Sequence, residues 1–179
     1  YYISIRAIDS VGNVSDAIST DGIIADHEGP FGSIAIDGDS ADIDRQNFTD
    51  IYSGRWVTFE DQLSGLAFYE VALYDSTSAS YTILWDSLGL DTLVEYIDLT
   101  LAQDHEYQLH IRGVDHVQNT GAITASDGVL IDQTAPMLPQ NLVGFFSNER
   151  IYLTWDSNLE PDLSYYKVYG GADSLQPVT

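Results

Sequence analysis

Four carboxylates fall within eight residues in the stretch Asp37-Gly38-Asp39-Ser40-Ala41-Asp42-Ile43-Asp44. Hard oxygen donors at this density suit calcium, which takes about six to eight oxygens, many of them from Asp side chains and loop carbonyls. The helix-loop-helix calcium pattern is not met. Counted from Asp37, the fifth position is Ala41, the sixth is Asp42 where Gly is needed, and the twelfth is Phe48 where a bidentate Glu is needed. Calcium is therefore the one cofactor expected, with Asp37, Asp39, Asp42 and Asp44 as candidate ligands in an irregular loop. A solvated acidic loop is the plain alternative. Further acids recur at Asp9, Asp21, Asp26 and Glu28 and again at Asp115, Asp127 and Asp132. Asp9 and Asp115, with Asn13 and Asn119, also have the turn-forming chemistry of Asx residues.

Other chemistry finds little support. Ser, His and Asp are present, but no G-x-S-x-G elbow and no H-E-x-x-H occurs. His27, His105, His110 and His116 lack zinc spacing. A glycosidase pair is recognised by carboxylate separation, not by abundance, so 28 acids identify none. Gly12 and Gly22 read as turn glycines and not as a phosphate cradle. Cysteine is absent, which removes thiol chemistry and disulfides. No catalytic role is expected.

The acids face only six Lys and Arg, a formal net charge of −22. That field repels phosphate backbones and anionic head groups, so nucleic acid is not an expected partner. No run of 18 apolar residues occurs, and membrane insertion is not expected. The hydrophobic content of 44% is enough for a packed core. The chain opens Tyr1-Tyr2, without a signal-peptide pattern, so any export signal is expected outside this stretch.

The elements that must position these residues follow from a repeat. Residues 1–30 align without gaps on 107–136, with identities at Tyr1/Tyr107, Ile5/Ile111, Arg6/Arg112, Asp9/Asp115, Val11/Val117, Asn13/Asn119, Asp21/Asp127, Gly22/Gly128, Asp26/Asp132 and Pro30/Pro136. A period of 106 residues is that of whole domains in tandem. The expected division is 1–29, the closing strands of one module; 30–136, a complete module; and 137–179, the opening strands of another. Alternation sets Tyr107, Leu109 and Ile111 against Gln108, His110 and Arg112. It gives similar apolar faces at Tyr1/Ile3/Ile5, Tyr69/Val71/Leu73 and Ile151/Leu153/Trp155. Seven strands are predicted near 32–37, 51–60, 66–75, 80–86, 93–99, 106–114 and 123–132, which reads as an all-β antiparallel β-sandwich. The two incomplete ends, with their apolar faces, either complete each other by strand complementation or are parts of a longer array.

Several residues carry a family resemblance. Leu101 followed by Tyr107 resembles a tyrosine corner, and Trp56 with Tyr69 resembles the core pair of Ig-like and fibronectin type III modules. The stretch PQNLVGFFSNERIYLTWDSNLEPDLSYYKVYGG, with Trp155 and Tyr166, is similar to the opening of a fibronectin type III domain. The pattern YxLxIRxVDxxxN…SDGVxID resembles tandem modules of large bacterial surface and secreted proteins. The resemblance implies an extracellular or cell-surface location and a structural or adhesive role as spacer, assembly or adhesion module. The expected partners are neighbouring modules of the same chain, further copies of it, and surface glycans.

Two patterns refine that expectation. Asp followed by Ser or Thr and then a third residue from a small set occurs six times, at Ser10, Ser40, Ser76, Ser87, Thr92 and Ser174, several times what composition alone gives. It resembles the O-glycosylation motif of exported Bacteroidetes proteins, although Asp-Ser is also ordinary turn chemistry. Twelve tyrosines and three tryptophans are many for this length. Tyr2, Tyr74 and Tyr165 fall on outward strand faces, and Trp85 has no assigned side. A carbohydrate-binding appendage of a secreted hydrolase is therefore the rival reading, and a filament subunit assembling by strand exchange is the other.

Overall fold

The computed structural model describes residues 1–32 and 34–170. Among them the regular structure is all strand, in the chain order β1 (Ser4–Ile5), β2 (Ile18–Ser19), β3 (Ala35–Asp37), β4 (Arg45–Gln46), β5 (Tyr52–Trp56), β6 (Leu66–Asp75), β7 (Ser80–Ser87), β8 (Leu93–Tyr96), β9 (Glu106–Asp115), β10 (Thr124–Ala125), β11 (Val129–Ile131), β12 (Gln140–Ser147) and β13 (Arg150–Asp156). The chain falls into two compact units, Tyr1–Gln133 and a second from Thr134 onward.

Within the first unit, β3, β5 and β8 form one antiparallel sheet, with Ala35 opposite Trp56 and Tyr52 opposite Tyr96. The second sheet runs β4-β11-β9-β6-β7, with β10 also laddered to β9. Its longest pairing sets Val71 against Ile111 and Leu73 against Leu109. The predicted alternation is realised. Tyr52 and Trp56 of one sheet face Tyr69, Val71, Leu73, Tyr107, Leu109, Ile111, Val129 and Ile131 of the other, all in one buried cluster. Each fully buried side chain of this size contributes roughly 1.5–3 kcal/mol of transfer free energy. Two sheets with this strand partition make an Ig-like/fibronectin type III-like β-sandwich.

Two of the buried tyrosines place their polar ends on backbone. Tyr107 Oη accepts the Ala102 amide at 2.9 Å, the bond of a tyrosine corner. Tyr69 Oη accepts the Phe59 amide at 3.0 Å, and its ring meets Trp56 edge-on at 5.3 Å.

Two details depart from the predicted strands. A short strand, β4, pairs in parallel with β11, and no alternation marks it. The expected continuous last strand is broken into β10 and β11, because Gly128 takes φ +107 and the Ser126 hydroxyl accepts the Leu109 amide.

The opening residues copy part of this module bond for bond. Ile5 pairs with Ile18 and Ser4 with Ser19, as Ile111 pairs with Thr124 and His110 with Ala125. The bridge Ile8–Val14 repeats as Val114–Thr120. Gly22 has φ +106 where Gly128 has +107. Burial differs sharply: Ile3 and Ile5 are 62% and 66% exposed, whereas Leu109 and Ile111 are fully buried.

The second unit is a hairpin, β12 with β13, closed by Asn148 and Glu149 at positive φ, the conformation of a two-residue hairpin turn. Trp155 meets Tyr166 edge-on at 5.3 Å, and Tyr166 Oη accepts the Asn158 amide at 2.6 Å, as Tyr69 does for Phe59. Of the opening strands expected over 137–179, two form among the described residues, and 171–179 lie outside them. Residues 163–170 run without a ladder, because a strand exists only where a neighbour takes its hydrogen bonds. An apolar cleft of about 260 Å³ opens on Leu142, Leu153, Trp155 and Tyr166.

Candidate metal centres

Three carboxylates from distant parts of the first unit come together where the residues before Pro30 meet the sandwich. Asp26 lies in the segment after the first hairpin, Asp61 in the loop between β5 and β6, and Asp115 at the end of β9. Each places an oxygen within 4.8 Å of the others. Every one is held by amides. Asp61 Oδ1 accepts Leu63, Ser64 and Gly65 N–H groups at 3.1, 2.9 and 2.7 Å. Asp26 accepts the Glu28 amide at 3.0 Å and the Ser64 amide at 3.1 Å. Asp115 accepts the Val117 and Asn119 amides at 2.8 and 2.7 Å and the Asn119 side chain at 2.7 Å.

These bonds favour the anionic form of Asp26 and Asp115. Ser64, then the Glu28 amide, holds Asp26 below the usual carboxylate range. Burial pushes Asp115 upward, but its bonds to Asn119 and neighbouring groups outweigh that and leave it lowered. Among the described residues none of the three makes an ion pair. Three clustered, amide-held carboxylates are a donor set of the hard-oxygen kind that calcium takes.

The segment is also fixed sterically. A Cβ on Gly29 would lie 2.4 Å from the backbone of Thr120 and Gly121, and one on Gly121 would lie 1.8 Å from the Pro30 carbonyl oxygen. Asn119 Nδ2 reaches the Glu28 carbonyl at 3.4 Å.

The predicted acidic stretch is split. Asp37 and Asp42 gather with Asp127, from the turn before β11, whereas Asp39 and Asp44 lie exposed outside that group. Asp37 is fully buried and acts as a structural acceptor. Tyr52 Oη and Ser126 Oγ donate to Oδ1, the latter at 2.8 Å, and the Gly128 amide donates to Oδ2 at 2.8 Å. Burial pushes its carboxyl up despite these donors. Asp61 carries no marker in the sequence reading, and Asp127 stands there only among the acids that recur. The run of amides that Asp61 caps in Asp61-Gln62-Leu63-Ser64-Gly65 was the one local signal at the first of them.

The remaining candidates are placed as follows. Ser10, Ser40 and Ser87 are exposed, and Thr92 is half-buried. Ser76 donates to the Glu106 carbonyl at 3.1 Å and its carboxylate at 2.9 Å. Ser174 lies outside the described residues. His105 pairs with Asp75 at 2.7 Å, His110 stacks on Tyr74, and His27 and His116 are exposed. No helix among the described residues is long and apolar enough to cross a membrane.

No family model matches the chain, and no curated protein matches it. Solved structures similar to it include the twitchin kinase region from C. elegans (Fn31-NL-kin-CRD-Ig26), at 12% identity and a TM-score of 0.42 over 70% of this chain. Another, titled "Myokine structure", is 14% identical with a TM-score of 0.36 over 59% of this chain and 95% of its own. The chain spans a fifth of the length of the twitchin structure. Likeness at this level carries no functional argument.

Proposed function

We propose that the chain is a non-catalytic structural segment of an extracellular bacterial surface protein, a spacer whose β-sandwich modules are held in series by junctions that calcium stiffens. The observation that carries this reading is the junction at Asp26–Phe31. A segment clamped between two loops of the sandwich, with three carboxylates converging on it, is what a load-bearing or length-setting joint requires. The repeated hairpin supports serial use of one module design. The large negative charge suits a soluble, cation-rich exterior, and the exposed Ser10, Ser40 and Ser87 are open to glycosylation.

Strand exchange between copies is the weaker reading. With Trp155 and Tyr166 matched to Trp56 and Tyr69 by their edge-on ring pairs, Lys167 holds the place of Glu70, and by the repeat Arg6 holds that of Arg112, so a salt bridge of 2.7 Å would become a like-charge pair. Leu153 holds the place of Gly54, where even a Cβ would lie 2.8 Å from Leu109.

Thermal unfolding of the 179-residue chain with calcium titrated against EDTA tests the proposal. A midpoint that rises by several degrees and saturates with calcium is expected, since a ligand of the folded state stabilises it by mass action. A rise no larger than sodium chloride gives at equal ionic strength would remove calcium from the reading.

A further inference from the structure

We propose that the outer face of the six-strand sheet binds a neutral saccharide at a patch made by Tyr74, Tyr81, Trp85 and His110, with Glu70 and Arg112 at its margin. Tyr74 and His110, on neighbouring strands, stack at 4.7 Å and 19°. Tyr81 stands across both, 5.1 Å from Tyr74 at 63° and 5.6 Å from His110 at 82°, with its hydroxyl 3.2 Å from His110 Nδ1. Trp85 lies 5.8 Å from Tyr81. The Arg112 guanidinium sits 4.3 Å from the indole centroid, while its Nε donates to Glu70 at 2.7 Å. All six side chains are half-buried, and Ala72 beneath them has no exposed surface.

The patch is an addition to the module and not a condition of its folding. The copied hairpin has Ser4 in the place of His110, and a simple hydroxyl pair, Ser4 with Ser19 at 2.7 Å, serves there. Trp85 reaches this face through irregular pairing. The register of β7 against β6 shifts twice, between Tyr74/Tyr81 and Leu73/Ile83 and again before Val71/Asp86. Ile83 packs toward the core, so strict alternation from it would send Trp85 inward. Bulges that re-aim one side chain are concentrated next to functional sites.

Chemistry and size select the occupant. Aromatic rings take the C–H faces of a pyranose, and a carboxylate, a guanidinium and a Tyr–His pair offer the donors and acceptors that fix hydroxyl groups. Burial pushes His110 down, so the ring is uncharged at neutral pH. A protein partner needs roughly 800 Å² and about 20–30 residues per side, far beyond four rings and one ion pair. A chain of net charge −22 repels sulfated, phosphorylated and uronate ligands, which leaves neutral sugars.

The test is calorimetry and tryptophan fluorescence of the full chain with cellohexaose, xylohexaose, mannohexaose and chitohexaose, and with polygalacturonate as the anionic comparison. Saturable binding of at least one neutral hexaose is expected, at a Kd of about 10 μM to 1 mM. Trp85→Ala and the shape-conserving Glu70→Gln are each expected to weaken it about ten-fold or more, a loss of one bidentate or stacking contact. Phe145→Ala, at an exposed ring elsewhere, is expected to bind as wild type, and melting midpoints report that each variant is folded. Absence of heat and of quenching with all four neutral sugars overturns the proposal. So does wild-type affinity in folded Trp85→Ala or Glu70→Gln, or preferential binding of polygalacturonate.

Discussion

Asn119 donates through Nδ2 to Asp115 Oδ2 at 2.7 Å, and Asn13 donates to Asp9 Oδ2 at the same 2.7 Å. The two loops share their amide bonds as well, from Val117 and Val11 and from Asn119 and Asn13. Their surroundings differ, since Asp115 is fully buried and Asp9 exposed. Removing a buried acceptor strands its donors, whereas water replaces an exposed one. Asp115→Ala is therefore expected to lower the main melting midpoint by several degrees. Asp9→Ala should leave it unchanged and show only as faster hydrogen exchange at Val11 and Asn13.

The rise in midpoint expected with calcium is assigned to particular residues. Asp26→Asn combined with Asp61→Asn is expected to abolish it, because two of the three junction carboxylates are lost. Asp39→Asn combined with Asp44→Asn should leave it intact, since both lie apart from either cluster. Loss of the rise in the second pair alone would return the site to the Asp37–Asp44 loop.

The buried Asp37 predicts two measurements. Tyr52→Phe removes a donor to a buried carboxylate and is expected to cost about 1–3 kcal/mol in denaturant unfolding. The pH dependence then has a definite sign. Asp26, Asp75 and Asp115 are held below the ordinary 3.8, so the stability they contribute is full above that value and is lost as pH falls through their folded values. Asp37 is raised, so its cost sets in as pH rises from 3.8 through its folded value. The stability of Asp37→Asn relative to wild type should accordingly improve between about pH 3 and about pH 7, measured by unfolding at each pH.

Rigidity of the junction rests on missing side chains. A methyl group at Gly121 would overlap the Pro30 carbonyl oxygen, so Gly121→Ala must displace residues 29–31. Overpacking of this kind costs roughly 1–3 kcal/mol. Hydrogen exchange should quicken at Phe31, whose amide bonds the Glu60 carbonyl at 3.0 Å, and at Ser64, which bonds Asp26. Unchanged exchange at both amides would show that the segment is not clamped there.

Much of the fold was legible because it rests on local rules. Alternation placed Tyr107, Leu109 and Ile111 inside, and the Leu101-to-Tyr107 spacing marked the corner that Tyr107 closes on Ala102. The turn chemistry of Asp115 and Asn119 was readable for the same reason, since donor and acceptor lie four residues apart. The short β4 was not, because two residues carry no period, and its pairing with β11 is set by packing. Nor was the side of Trp85, because two bulges break the alternation on which such a reading depends.

The sequence by itself determined an all-β chain, its repeated hairpin, its apolar faces and its charge. These depend on residue type and on neighbours a few positions away. Only the tertiary structure decided which carboxylates share a site. Asp26 meets Asp61 and Asp115 at the last residue of β9, and Asp37 meets Asp127 beside its first half, because the two sheets pack face to face and bring distant segments together. Whether an apolar strand face is buried was decided in the same way. Ile5 pairs with Ile18 as Ile111 pairs with Thr124, yet only Ile111 also pairs with Val71 and has a second sheet across from it. Burial belongs to the layers around a residue, and no local pattern specifies those.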